Sequence, residues 1–129
     1  MAVCIVRLGS KRENGEGLRI GTVRHPPRGV PKHEHASQNW YDVWLPELAP
    51  SAEAVKLGQG AATPREWERF VKRYRVEMGV PERQRMFALL AALSHHANFS
   101  VGCYCADEDR CHRSVLRLLL EQHGAKLHE

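Results

Sequence analysis

No run of apolar residues in this chain approaches the roughly 20 needed to cross a bilayer as a helix, so no membrane-spanning segment is expected. The start, MAVCIVRLG, lacks the basic cluster, long apolar middle and small-residue cleavage site of a secretory leader, and the expected compartment is therefore the cytoplasm. Cysteine is sparse and unevenly placed. Cys4 stands alone, while Cys103, Cys105 and Cys111 cluster far down the chain, a pattern that argues against a disulfide-stapled secreted domain and for reduced thiols. Internal repeats and low-complexity tracts are absent too, which excludes solenoid and fibrous architectures.

What is present is the make-up of one ordinary folded domain, residues 1–129, with 43% hydrophobic and 26% charged residues. The net charge of +4 admits nucleic acid, small anions or acidic proteins as partners without selecting among them.

AVCIVRLG is rich in β-branched residues and LRIGTVR alternates apolar with polar, so both predict strands, separated by the turn-rich SKRENGEG. RHPPRGVPKHEH cannot be regular, because Pro26, Pro27 and Pro31 remove backbone donors; it is a loop carrying Arg24, His25 and Arg28. ASQNWYDVWL suggests a short helix with Trp40 and Trp44 on one face, directed to the core. Thr63-Pro64-Arg65-Glu66 opens a helix by capping box and first-turn proline, with Phe70, Tyr74 and Met78 on its apolar face and Arg65, Arg69, Lys72 and Arg73 on the other. A further helix starts at Pro81 and ends near His95 and His96, whose position suits a C-terminal cap. NFSVGCYC then predicts a strand, and SVLRLLLEQHG an amphipathic helix. Strands alternating with helices give an α/β class, a single domain whose mainly parallel sheet is flanked by helices in a three-layer, Rossmann-like arrangement.

The segment CYCADEDRCHR carries the chemistry. It lies where the last strand should meet the last helix, the edge at which open α/β sheets bind ligands. Asp109 is placed to cap that helix, with Cys111 and His112 in its first turn. Three readings compete with the plain one in which the cysteines are small core residues. Cys103, Cys105, Cys111 and His112 supply donors for zinc, although neighbouring Cys111 and His112 should diverge by about 100° on a helix, and no metal is assigned. Cys111 or Cys105 could be a catalytic thiol, favoured by Arg110, His112 and Arg113 and opposed by Asp107, Glu108 and Asp109. Arg113 could meet Arg24 and Arg28 across one crevice to hold an anion.

CYCADEDRCHRSVLRLLL resembles the C-x-[CE]-x5-C-H-R stretch of the domain-of-unknown-function family four-eight-eight, whose YeaO-like branch also has text similar to TVRHPPRGVPK, WLPELAPS and WERFVKRYRVEM. The likeness runs from about Val3 to Ala125. It implies an α/β fold with helices flanking a parallel sheet, and a site shared by Arg24, Arg28, Cys103, Cys105, Cys111, His112 and Arg113. YeaO-like chains typically read D-R-x-W-P-R-G-[IV] at the proline loop; here Val23 replaces the aspartate and Pro26 the tryptophan. Many such relatives lack the cysteines, so thiol chemistry is not a requirement of the fold.

The leading expectation is a protein that holds a phosphate- or carboxylate-bearing ligand with Arg24, His25, Arg28, Cys105, Cys111, His112 and Arg113, without a cofactor. Nucleic-acid binding by Arg65, Arg69, Lys72 and Arg73 is the alternative, and a thiol enzyme the second alternative. A homodimer is compatible with the sequence but not required by it.

Overall fold

Four short strands carry the fold in a computed structural model that describes residues 1–128. They are β1 (Val3–Arg7), β2 (Leu18–Gly21), β3 (Val43–Trp44) and β4 (Phe99–Cys103), all parallel, in the order β1-β4-β2-β3. The last strand in sequence is thus a central one, and all five of its residues are buried. Val3 and Ile5 of β1 stand opposite Phe99 and Val101, and Ile20 of β2 faces Val101 from the other side. This row meets four helices: α1 (Ala52–Gln59), α2 (Pro64–Met78), α3 (Pro81–Leu93) and α4 (His112–Gln122). Their buried residues, among them Ala54, Phe70, Tyr74, Phe87, Leu116 and Leu120, join the strands in one apolar cluster.

The opposite face carries Arg19 and Ser100 side by side, and irregular chain covers it as the third layer. Arg19 is wholly buried and donates to both oxygens of Glu16 at 2.8 and 3.0 Å, and to the carbonyls of Ser10 and Asn39. Ser100 donates to the same carboxylate at 2.8 Å. A buried guanidinium is tolerable only when its donors are met in this way. Close approach on this face depends on glycine: a Cβ on Gly21 would stand 2.3 Å from the Tyr41 ring. The single-domain α/β class with a parallel sheet is the expected one, and no helix among the described residues is long and apolar enough to cross a membrane.

Two helix starts follow from capping. Thr63 Oγ1 accepts the Glu66 N–H at 3.2 Å, as its sequence predicts, and Ser51 accepts the Ala54 N–H to begin α1, a helix the sequence reading passed over. The helix expected in ASQNWYDVWL does not form. Asn39 adopts a left-handed backbone (φ 65°), and the chain beyond it extends so that the N–H groups of Asp42 and Leu45 reach the carbonyls of Arg19 and Gly21. Trp44 accordingly sits on the sheet edge, 42% exposed, and Trp40 packs over Gly9 rather than in the helical core.

Candidate functional site

Because all strands are parallel, their carboxyl ends open on one edge, and the segments that leave β1, β2 and β4 meet there beside α1. They enclose a cleft of about 1050 Å³. Arg7 comes from the end of β1, Arg24 and Arg28 from the proline loop after β2, and Lys56 from α1. No acidic side chain among the described residues lines this cleft. Arg24, Arg28 and Lys56 are exposed and make no ion pair among the described residues. Trp40 and Tyr104, edge to face at 5.8 Å, add aromatic surface.

The proline loop and the turn after β4 are tied together directly. Tyr104 donates its hydroxyl to the His25 carbonyl at 2.8 Å, and Arg7 Nε donates to the Tyr104 carbonyl at 3.2 Å. Trp44 holds the root of the loop through its indole N–H on the Val23 carbonyl at 2.7 Å. These bonds fix where Arg24 and Arg28 leave the scaffold.

Cys103, Cys105 and His112 line the same cleft, whereas Cys111 and Arg113 lie buried behind it. The structure therefore brings Arg24, His25, Arg28, Cys105 and His112 of the expected set to one surface and sets the other two beneath it. Arg7, Lys56, Trp40 and Tyr104 were not anticipated. Arg7 was legible as the last residue of a strand; Lys56 was not, because its helix went unread.

The helix start also differs from expectation. Asp107 caps a single 3-10 turn, Glu108–Arg110, by accepting the Asp109 N–H at 3.0 Å, and Cys111 with extended backbone is the cap residue of α4. The turn consumes the residues that Asp109 would have needed to cap the longer helix. Since Cys111 stands outside the helix, the 100° divergence expected between it and His112 does not apply: Cys111 Sγ and His112 Nδ1 are 3.7 Å apart.

Three thiols meet here. Hydrogen bonds from the Cys103 and Cys111 thiols hold Cys105 well below the usual thiol range, with the charge of Arg113 adding to the effect. Cys103 is pushed up by its bonds to Cys105 and Cys111 and by burial. Cys111 also lies above the usual value: its bond to Cys103 acts downward, but the bond to Cys105 and burial outweigh it. Of the three, only Cys105 is exposed. Burial brings His112 down to about 4, so its ring is neutral at pH 7.

Arg113, 4% exposed, has no carboxylate within ion-pair distance among the described residues. One terminal nitrogen donates to the Cys105 carbonyl at 2.6 Å, while Nε is buried without a partner. Glu108, five residues before Arg113 in the chain, is bound to Arg117 instead at 2.8 Å. The unbalanced guanidinium therefore favours negative charge on the neighbouring sulfur.

The basic stripe of α2 lies on the far side of that helix from its buried Phe70 and Tyr74. Arg65, Arg69 and Lys72 are exposed there, and Arg73 is bound to Glu53 at 2.7 Å and Glu77 at 2.9 Å. His95, expected as a cap, reaches the Gly124 carbonyl at 2.8 Å instead of a metal cluster.

Comparison with known proteins places this architecture. No curated protein and no solved structure matches the chain. A family model described as "Active DUF488-N3 subclade" matches residues 3–124, which takes in the proline loop, the thiol cluster and every strand and helix just described. The chain belongs to the DUF488 family, in its N3 subclade.

Proposed function

We propose that the cleft binds a small molecule bearing a phosphate or carboxylate group. The observation that carries this reading is the lining: Arg7, Arg24, Arg28 and Lys56 face a volume of about 1050 Å³ to which no acidic side chain among the described residues contributes. Cations gathered without counter-charges on the wall of a concave site raise the local concentration of anions and favour their capture. Arg24 and Arg28 can each offer a planar fork of donors to an oxyanion, and Trp40 and Tyr104 supply surface for the uncharged part of the ligand. Titration calorimetry with inorganic pyrophosphate tests this. The double substitution Arg24→Ala/Arg28→Ala should weaken binding at least tenfold at low salt, and equal affinity in both proteins would end the reading.

A second reading, thiol-dependent chemistry, has one observation in its favour. Cys105 is exposed to the cleft and held toward the thiolate, while Cys111, the other candidate, is buried and shifted the opposite way. Iodoacetamide at limiting concentration should label Cys105 before Cys4, Cys103 and Cys111, and pyrophosphate should slow that labelling. Uniform labelling read by peptide mass would remove Cys105 from consideration.

The nucleic-acid reading of α2 loses one of its four cations to the Glu53 and Glu77 carboxylates. All four cysteines are unpaired, which suits the reducing conditions of the cytoplasm.

A further inference from the structure

Cys103, at the last position of β4, and Cys111 and His112, at the start of α4, come from two elements that converge under the cleft. Their sulfurs and one ring nitrogen of His112 all lie within 4.8 Å of one another. The three residues are 2%, 3% and 8% exposed, so these donors are fixed by packing and not by chance surface proximity. Tyr74 sets its ring edge to face against His112 at 5.6 Å, which restricts the imidazole further.

The direction of that imidazole is decided by Thr22. His112 Nε2 lies 2.9 Å from the Thr22 carbonyl, an atom that can only accept, so the ring proton belongs on Nε2. Thr22 is held in turn, because its hydroxyl donates to the Gly102 carbonyl of β4 at 3.0 Å. Nδ1 is thereby left as a lone pair directed toward Cys111 Sγ at 3.7 Å. A histidine whose distal N–H is anchored to a backbone carbonyl while the other nitrogen faces thiols is the usual outer-shell arrangement of a metal-ligating imidazole.

Two thiolates and a neutral imidazole suit a borderline-soft divalent ion, and disfavour magnesium or calcium, which take oxygen donors. Tetrahedral zinc, with bonds of about 2.3 Å to sulfur and 2.0–2.1 Å to nitrogen, sets its donors about 3.6–3.8 Å apart. The Cys111–His112 pair already has that separation. Cys105 falls outside this compact group of three.

We propose that Cys103 Sγ, Cys111 Sγ and His112 Nδ1 form a three-donor zinc site whose fourth coordination position opens on the cleft. Cys103 and His112 line that cleft, which supplies the opening. Three protein ligands with one position free is the pattern of zinc sites that take up water or a further ligand, in contrast to closed four-residue structural sites. On binding, Zn²⁺ displaces the two thiol protons, which pass to solvent. The site shares no residue with the arginine and lysine wall, so it stands whether or not that wall holds anions.

The full chain, stripped with EDTA and kept reduced, is titrated with Zn²⁺ against a chromophoric chelator, and with Co²⁺ while its absorption is recorded. One equivalent of Zn²⁺ should bind, and Co²⁺ should give sulfur charge-transfer bands with the intense visible bands of tetrahedral geometry. His112→Gln keeps a donor for the Thr22 carbonyl but loses Nδ1, and should bind at least about tenfold more weakly. Cys111→Ser should do the same, with circular dichroism confirming that each variant is folded. Cys105→Ser should keep one equivalent at near wild-type affinity, and Arg24→Ala/Arg28→Ala should leave metal uptake unchanged. The proposal is overturned if the wild-type chain takes up no stoichiometric Zn²⁺, if its Co²⁺ spectrum is weak and lacks charge transfer, or if His112→Gln binds as well as wild type. Loss of binding in Cys105→Ser would overturn the open fourth position.

Discussion

Glu16 sits under the sheet with Arg19 and Ser100 both donating to its carboxylate. Removing one partner of a buried ion pair leaves the other charge without compensation, which costs far more than the pair itself contributes. Glu16→Ala should therefore lower stability by about 3–5 kcal/mol, read from urea unfolding at pH 7. Nothing in the local text ENGEGLRIG announces this pair, since the spacing of Glu16 and Arg19 resembles any solvated charge pair. What makes it buried is the loop carrying Asn39, which arrives from a distant part of the chain. Arg24 and Arg28 were easier to find, because proline and glycine mark their loop and a cation in a loop has few structural duties. The thiols were legible as a cluster but not as an arrangement. Whether Cys111 and His112 diverge or meet depends on one 3-10 turn, a difference of two residues in where α4 begins.

Elements differ in how much of their cause is local. Helix α2 states its beginning in four residues, and the Thr63 hydroxyl does accept the Glu66 N–H at 3.2 Å. Thr63→Ala should cost about 1 kcal/mol, with Thr63→Ser restoring most of it, measured as shifts in the urea midpoint. Helix α1 has an equally good cap in Ser51, which also bonds to Glu77 of α2, but its eight residues are too few to show a clear period. Strand β3 is two residues long and exists only because β2 offers it an edge. A pairing that short has no signature in sequence; the tryptophans at helical spacing outvoted it. The carboxyl-edge placement of the site followed from the strand and helix order alone, and it is the part of the functional reading least sensitive to such errors.

The molecule as a whole has a predictable response to acid. Glu16, Asp42, Glu77 and Glu108 are all held below the ordinary carboxylate range. For the first three, burial acts upward and is outweighed by hydrogen bonds and charge from Arg19 and Ser100, from Arg12, and from Ser51 and Arg73 respectively; for Glu108 the Arg117 bond dominates. A folded-state pKa below the unfolded one means that the unfolded chain binds protons first. The stabilisation is complete above the unfolded value, near pH 4 to 5, and is lost as pH falls through the folded values. The urea midpoint should be steady above about pH 5 and drop steeply below about pH 4, and Glu16→Ala should flatten part of that drop. A midpoint that did not move between pH 6 and pH 3 would contradict the ion-pair geometry described above.

The position of β4 has a consequence for biosynthesis. Strands β1 and β2 do not touch each other; Phe99–Cys103 lies between them, and apart from the two residues of β3 on the outer edge of β2 it is their only strand neighbour among the described residues. Until that stretch has left the ribosome, β1 has no strand partner and β2 has only the two residues of β3, so the native sheet cannot join them. The chain must therefore close its sheet late, and the edges that β4 covers stay open through most of its synthesis.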